Sequence, residues 1–392
     1  MLKMGRFIVL VIDGLGIGAM EDVQINRKED IGANTLKHVL CKVSSLQLPN
    51  LEKLGIMNAL DYETEYMKKS LNCTYGKCAL NHPGADSFLG HQEIMGRKDF
   101  NRNMQVFSEK AHEIGKLLEH QGYKIEYIVK EKNFKLLCIG DYIIIGDSLE
   151  GDIGQIYSVT ADLNKIGYEE IFKIANIVRE ASEVSRVTVN GAFVPVDKLK
   201  SFIEKKESGA IGINLVKAGI YEDRGYINAN LPFYHKDNKQ IQYLLGDKNI
   251  PVILIGKAGD IIHNPYGKNL IQKDTKNILN LTLREIINTK EAFILSNVQG
   301  TDIAGHLQDA YKYAMELKII DEYIGKILSV MNEQDILIVT GDHGNDPTIG
   351  HSKHTREYVP ILIYGQCNLN GFIGEIPTLS YISSMVKEYF LM

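Results

Sequence analysis

Five stretches of the chain are almost continuously apolar: 6-RFIVLVI-12, 252-VILI-255, 292-AFILSNV-298, 336-ILIVT-340 and 361-ILIYG-365. Runs of this length without polar alternation predict strands buried on both faces, the condition of a parallel sheet. Helical periodicity predicts amphipathic helices over 308–331 and 377–391, and over 108-SEKAHEIGKLLEHQG-122. From about residue 100 to 230 the texture changes. Shorter strand candidates (124-KIEYIV-129, 142-YIIIG-146, 153-IGQIYSVT-160, 185-SRVTVNG-191) mix with a helix over 169–183, separated by Gly- and Asn-rich turns. The pattern predicts an α/β core with a largely parallel sheet flanked by helices, formed by residues 1–99 and 231–392. A smaller α+β domain, residues 100–230, is inserted into it.

Composition narrows the function classes. A formal charge of −5 and the lack of any basic cluster interleaved with aromatics exclude a nucleic-acid partner. No run reaches the ~18 apolar residues of a membrane span, and the N-terminal run is too short for a signal peptide. Five cysteines, odd in number and without a CxxC pair, are expected as reduced thiols in a cytoplasm. Cys73 and Cys78 lack the second pair that a zinc site would need. Oligomeric state is left open.

Three of the apolar runs lead straight into acids. Asp13 follows the first in 11-VIDGLGIGA-19, Asp302 and His306 follow the third in 297-NVQGTDIAGH-306, and Asp342 and His343 follow the fourth in 340-TGDHGNDP-347. Ligands of open α/β sheets bind beyond the carboxyl ends of the strands, so parallel strands would bring these acids to one edge. Crowded carboxylates push one another toward protonation unless a cation neutralises them. Mixed Asp/His donors suit Mn²⁺, with Zn²⁺ as the alternative, better than Ca²⁺ or Mg²⁺. Asp302 and His306, four apart, share a face if a helical turn starts there. Asp342 and His343 must sit on a loop, which Gly341 and Gly344 make permissive.

Each fragment alone has a plainer reading. An Asp at a strand end is commonly a turn or cap residue, and His351 reads as an exposed loop histidine. The competing motif, 14-GLGIGA-19 with Glu29 and Asp30 behind it, fits a dinucleotide fingerprint. It would put Asp13 beside a pyrophosphate and would leave the distant His/Asp groups without a purpose.

Together, "VIDGLGIGA", 30-DIGANTL-36, 84-GADSFLGHQEIMG-96, "TGDHGNDP" and 354-HTREYVP-360 resemble the phosphopentomutases of the alkaline phosphatase superfamily. The resemblance covers residues 6–40, 84–97, 251–268, 296–309 and 336–361. It implies an alkaline-phosphatase-like core with an inserted cap, and two Mn²⁺ ions at the sheet edge. By motif, Asp13, Asp342 and His343 would hold one, and Asp302, His306 and His354 the other. Ser87 stands in the place of the family's nucleophilic threonine. The resemblance also implies a small phosphorylated sugar as substrate, a sugar bisphosphate activator, and a cap that holds the sugar and excludes water. Asp86, His91, Lys353 and Arg356 are candidate substrate contacts or supports, with Arg356 the foremost candidate for a phosphate contact or a support behind one. "DSFLGHQEIM" also reads as a helix start, with Ser87 as an ordinary cap in the plainer reading.

The chain departs from the family around the substrate phosphate. Ala85 replaces a lysine, 305-GHLQD-309 replaces G-H-R-R-D, and His351 and Lys353 replace Thr and Asp of G-T-D-H-T-R-E. The Asp302–His306 spacing is that of cofactor-independent phosphoglycerate mutases. The cap's arginine-rich segment has only remnants, "VTVNGAFVPVD" and "DRGYINANLPF". Three readings follow: a phosphopentomutase-like mutase, a mutase or phosphomonoesterase for another phosphorylated molecule, and a degenerate metabolite-binding paralogue.

Overall fold

The computed structural model describes residues 5–98, 100, 105–131, 134–150, 154–206, 209–220, 223–233, 240–365, 367 and 369–391. The chain divides into two compact units, residues 1–100 with 236–392, and residues 101–235. In chain order, β1 (Arg6–Ile12) and β2 (Thr74–Cys78) belong to the first unit. The second contributes β3 (Ile125–Glu131), β4 (Phe134–Ile139), β5 (Ile143–Asp147), β6 (Ile156–Asp162), β7 (Arg186–Ala192), β8 (Ile203–Lys205), β9 (Ile211–Ile213) and β10 (Ile227–Pro232). The first resumes with β11 (Val252–Gly256), β12 (Lys268–Leu270), β13 (Ala292–Val298), β14 (Ile336–Thr340), β15 (Val359–Gly365) and β16 (Gly371–Ile376).

The first unit is built on an eight-stranded sheet of order β12-β11-β13-β1-β14-β15-β2-β16. From β12 to β14 all neighbours are parallel, as the continuous apolar runs of β11, β13, β1 and β14 predict, with the short polar β12 at the edge. All seven residues of β1 are buried. Ile8, Leu10 and Ile12 face the side covered by helices Thr35–Lys42, Thr275–Asn288 and Ala310–Val330, whereas Phe7, Val9 and Val11 face helices Ser87–Ile94, Ile241–Gly246 and Ser380–Leu391. Shortening Leu10 to Ala would cost about 2–5 kcal/mol at such a site.

The 361–365 run behaves differently from the other four. Its strand pairs antiparallel with both β14 and β2 and ends in exposed Tyr364 and Gly365. Strands β2 and β16 were not expected, because TYGKC and GFIGEI interleave glycine and polar residues with few apolar ones.

The second unit carries a six-stranded sheet, β10-β7-β6-β5-β4-β3, in which only β6 and β7 run parallel. Helices Phe107–His120 and Tyr168–Glu180 cover one face through Ile114, Leu118, Ile174 and Val178. On the opposite face, Leu136, Cys138 and Ile144 of β4 and β5 pack with Leu199 and Ile211. Strand β4 is an addition to the expected set. Over β6, β7 and β10 that face turns polar, with Thr160 paired across the strands to Asn190 and Asn190 to Asn228. Among the described residues no helix is long and apolar enough to cross a membrane.

Candidate metal centre

Strand β1 lies between β13 and β14 in parallel register, with Ile12 opposite Val298 and Val11 opposite Thr340. The carboxyl ends of the three strands are therefore level. Asp13 follows β1 directly, Asp302 sits in the short helix Gly300–His306 behind β13, and Asp342 lies two residues past β14. Gly341 and Gly344 are needed here for their missing side chains and not for unusual dihedrals. A Cβ on Gly341 would stand 2.5 Å from the Leu15 carbonyl oxygen, and one on Gly344 2.4 Å from Glu357 Oε1.

Two overlapping donor groups result, Asp13, Asp342 and His343, and Asp302, His343 and His354. Within each, donor atoms lie within 4.8 Å of one another. His343 Nε2 is 3.4 Å from both Asp13 Oδ1 and Asp342 Oδ2. His354 Nε2 lies 3.3 Å from Asp302 Oδ1, and His306 Nε2 lies 3.4 Å from Asp302 Oδ2. All six residues expected from the motifs thus converge at the sheet edge, with His343 within reach of both sets.

The histidines are oriented for a cation. The Nδ1 of His343, His354 and His306 each faces a backbone carbonyl, of Gly344 at 2.9 Å, Ala85 at 2.8 Å and Ser352 at 2.7 Å. A carbonyl only accepts, so each Nδ1 carries a proton, and in its neutral, ligating form each ring turns an Nε2 lone pair toward the cluster. The Nε2 atoms of His306 and His354 face each other at 3.1 Å. His343 Nε2 and Asp13 Oδ1 are buried without a hydrogen-bond partner. Opposed lone pairs and orphaned donor atoms are what divalent cations would satisfy, so these residues fit the implied metal.

Charge coupling points the same way. Burial works against the charge on His343, but the carboxylate of Asp342, with those of Asp13 and Asp302, outweighs it and lifts the imidazole to about 9. Burial likewise opposes ionisation of Asp302, yet Lys257, then His354, hold its carboxyl well below the usual range. Burial and the neighbouring His343 lower His354. The Asp302 carboxylate, accepting a hydrogen bond from the ring, raises His306.

Lys257 was missed in the sequence. Its Nζ lies 2.8 Å from Asp13 Oδ2 and 3.7 Å from Asp302 Oδ2. Burial disfavours its charge, but Asp13, Asp302 and Asp342 keep it protonated above the ordinary lysine range. The signal was present: Lys257 stands directly behind β11, a strand the apolar pattern had marked, but only acids were sought at strand ends. Asn345 was also missed. Its Nδ2 donates to Asp302 Oδ1 at 2.8 Å.

Ser87 is the first residue of helix Ser87–Ile94. The cap is Asp86, which accepts from the Leu89 amide, so the plainer reading of Ser87 as the cap is replaced. Ser87 Oγ donates to Asp342 Oδ2. Gly90, one turn on, packs against the Asp342 backbone so closely that a Cβ would meet its carbonyl oxygen at 2.6 Å. This contact brings the serine to the cluster.

Three further expectations change. Arg356 is buried, and each of its side-chain nitrogens is engaged: Nε with Asp22, Nη1 with the carbonyls of His82 and Gly84, and Nη2 with that of Leu80. It fastens the segment before Ser87, with four of its five N–H donors committed to that segment and to Asp22. His351 is half-buried with Nε2 3.3 Å from Asp30 Oδ1, not an exposed loop residue. His91 is wholly buried, so it touches no substrate. Lys353 is exposed.

Residues 237–392 match the metalloenzyme superfamily. A phosphopentomutase of Clostridium kluyveri is 29% identical over 377 residues, covering 93% of this chain and 89% of that protein. One of Desulfitobacterium hafniense is 27% identical over 418 residues, covering 98% and 96%. Among solved structures, the PH0037 protein of Pyrococcus horikoshii superposes with a TM-score of 0.50 at 16% identity, covering 99% of this chain and 97% of that one, a likeness of fold.

Proposed function

The chain is a divergent relative of the phosphopentomutases with a metalloenzyme-superfamily segment at its C-terminal side, and on that premise we propose that it is a metal-dependent phosphomutase working through Ser87. One observation carries the reading: Ser87 Oγ and the cation cluster share a single oxygen, Asp342 Oδ2. Asp13, Asp342 and His343 would hold one divalent cation, and Asp302, His306 and His354 the other, Mn²⁺ being favoured by the mixed donors. Bound there, such cations would stabilise a serine alkoxide and the charge on a transferring phosphoryl group.

The residues of the chain do the rest. Asp342 receives the Ser87 hydroxyl hydrogen bond and marks where the proton leaves. The Ser87–Ile94 helix points its first amides toward an entering phosphate. Three carboxylates against the one ammonium of Lys257 leave two negative charges. Two divalent cations reverse that to two positive, which a phosphate dianion neutralises. In the mutase cycle, phosphorylated Ser87 gives its phosphoryl group to the free hydroxyl of a pentose monophosphate. The bisphosphate turns, and its other phosphoryl group returns to Ser87 Oγ, leaving the isomeric monophosphate. A catalytic amount of sugar bisphosphate would prime the serine.

The inserted unit is the proposed substrate-recognition domain. It carries a polar network in which Asn190 Nδ2 donates to Ser158 Oγ at 3.1 Å and Asn228 Nδ2 donates to Asn190 Oδ1 at 2.9 Å, with Ser158, Thr160 and Asn190 buried.

The test is incubation of Mn²⁺-loaded protein with ribose 5-phosphate and a trace of sugar bisphosphate, followed by ³¹P NMR. Ribose 1-phosphate without net phosphate release is expected. Inorganic phosphate alone would select the second reading, a phosphomonoesterase or a mutase of another molecule. That reading draws on Leu307, which is 59% exposed beside His306, and on Gln308, which spends its amide on the carbonyls of Gly305 and Asp346. Neither supplies the positive charge that the family's two arginines would give.

A further inference from the structure

His91 has the same proton placement as the three histidines of the cluster but a different use for it. Its Nδ1 faces the Ser87 carbonyl at 2.8 Å, so Nδ1 carries the proton. The same Nδ1 lies 3.3 Å from Asp342 Oδ2, the oxygen that also accepts from Ser87 Oγ. Its Nε2 is closed off by Asn297 Nδ2 at 3.1 Å, near the end of β13, and the ring is wholly buried. Unlike His343, whose Nε2 is left without a partner, His91 has no lone pair to offer a cation. Ser87, Gly90 and His91 fall at i, i+3 and i+4, one face of one helical turn, and that face meets Asp342.

We infer that His91 is a positioning residue: its Nδ1–H, shared between the Ser87 carbonyl and the longer contact to Asp342 Oδ2, holds the Asp342 carboxylate in the orientation that serves both the Ser87 hydroxyl and the cation held by Asp13, Asp342 and His343, and Asn297 locks the ring so that it does so. Asp342 is gripped on both oxygens, with the Gly14 amide donating to Oδ1 at 3.2 Å. Removing the His91 donor leaves Ser87 Oγ as the remaining hydrogen-bond donor to Oδ2. The carboxylate would then serve the serine or the cation less well, while the neighbouring Asp302, His306 and His354 set, to which His91 donates nothing, would keep its arrangement. Removal of such a supporting donor commonly weakens metal affinity or activity by about 10–100-fold.

The inference rests on the two-cation reading, and two substitutions separate them. His91→Asn places an amide nitrogen near the position of Nδ1, whereas His91→Gln reaches the position of Nε2 and leaves that of Nδ1 empty. Mn²⁺ titration by calorimetry, with the coupled-pair signal in electron paramagnetic resonance, reads both cations separately from turnover. The wild type is expected to bind two. His91→Asn should bind both nearly as tightly. His91→Gln should keep one at wild-type affinity and hold the other about 10–100-fold more weakly. In turnover His91→Gln should lower kcat with KM little changed, because the ring touches no substrate. If His91→Gln does not fold, Asn297→Leu frees the ring without removing it, and should produce a smaller loss confined to the same cation. Two wild-type affinities in His91→Gln, or equal losses at both cations in both His91 variants, would overturn the positioning role alone. Fewer than two cations in the wild type would overturn the reading beneath it, and this one with it.

Discussion

The two halves of the proposed cation cluster differ in depth. The side chains of Asp13, Asp342 and His343 are 0% exposed, whereas those of Asp302, His354 and His306 are 8%, 23% and 41% exposed. The inner half is joined to Ser87 through Asp342. The outer half is tied to the loops, through the carbonyls of Ala85 and Ser352. Depth follows from topology. Asp13 and Asp342 follow the central strands β1 and β14, covered on both faces, while His306 is the exposed last residue of a short helix. The inner half is thus built for placement, and the outer half for access and exchange.

The largest way to break this division is through the shared oxygen. Ser87→Ala is expected to abolish the phosphoenzyme, read by intact mass spectrometry, and to cost on the order of 10⁴-fold or more in turnover, as loss of a nucleophile does elsewhere. It should leave both cations bound. A Ser87→Ala protein that still turns over at a tenth of the wild-type rate would remove the serine from the mechanism.

Cation removal comes next. Chelation should take the outer cation first and the inner one more slowly, giving two phases in metal release. His306→Ala should lower the Mn²⁺ stoichiometry from two to one, measured by elemental analysis. Refilling the sites should stabilise the fold by about 2.7 kcal/mol per site at a free cation concentration one hundred times Kd. Single-phase release would argue against any difference in depth.

Acidity sharpens the same contrast. In the cation-free protein His343, lifted to about 9, is protonated at neutral pH and must lose that proton to ligate. Inner-site affinity should therefore fall about tenfold per pH unit as pH drops from about 9 toward the usual histidine value, with one proton released per cation bound. Without cations the sign for stability is opposite. A raised histidine contributes fully below its unfolded value near 6.5, and the contribution is lost as pH rises through about 9. Calorimetry in buffers of different ionisation heat counts the proton. None released on filling the inner site would contradict this account.

Smaller still is Arg356→Lys. A single ammonium cannot reach three carbonyls in a planar fork, so the segment before Ser87 should loosen. A fall in kcat of about 10–100-fold with KM nearly constant is expected, by analogy with other supporting groups. A rise in KM alone would restore Arg356 as a substrate contact. Lys353→Ala, at an exposed position, should change kcat/KM by less than the other variants, and any change should lie in KM.

Much of the inner half was legible before folding was considered. An uninterrupted apolar run that stops at an acid states both a buried strand and a carboxylate at its end, and β1, β13 and β14 each did so. The Asp302–His306 pair was legible from helical spacing. The partners of His351, Arg356 and Lys257 were not, because each comes from elsewhere in the chain, although the place of Lys257 behind an apolar run was. His351 meets Asp30, Arg356 meets the carbonyls before Ser87, and Lys257 meets Asp13 across 244 positions. The second unit was read less completely. Its antiparallel strands bury one face against helices and only part of the other, which blurs the apolar pattern at β4 and β10.

Period and run length are properties of neighbours along the chain, so the sequence by itself determined the buried parallel strands, the acids behind them and the helix that begins at Ser87. Strand order and register are decided by packing between segments hundreds of residues apart. Only the tertiary structure could therefore decide that Ser87 and His91 meet Asp342, that Lys257 is the ammonium among the carboxylates, and that Arg356 braces the chain instead of holding a phosphate.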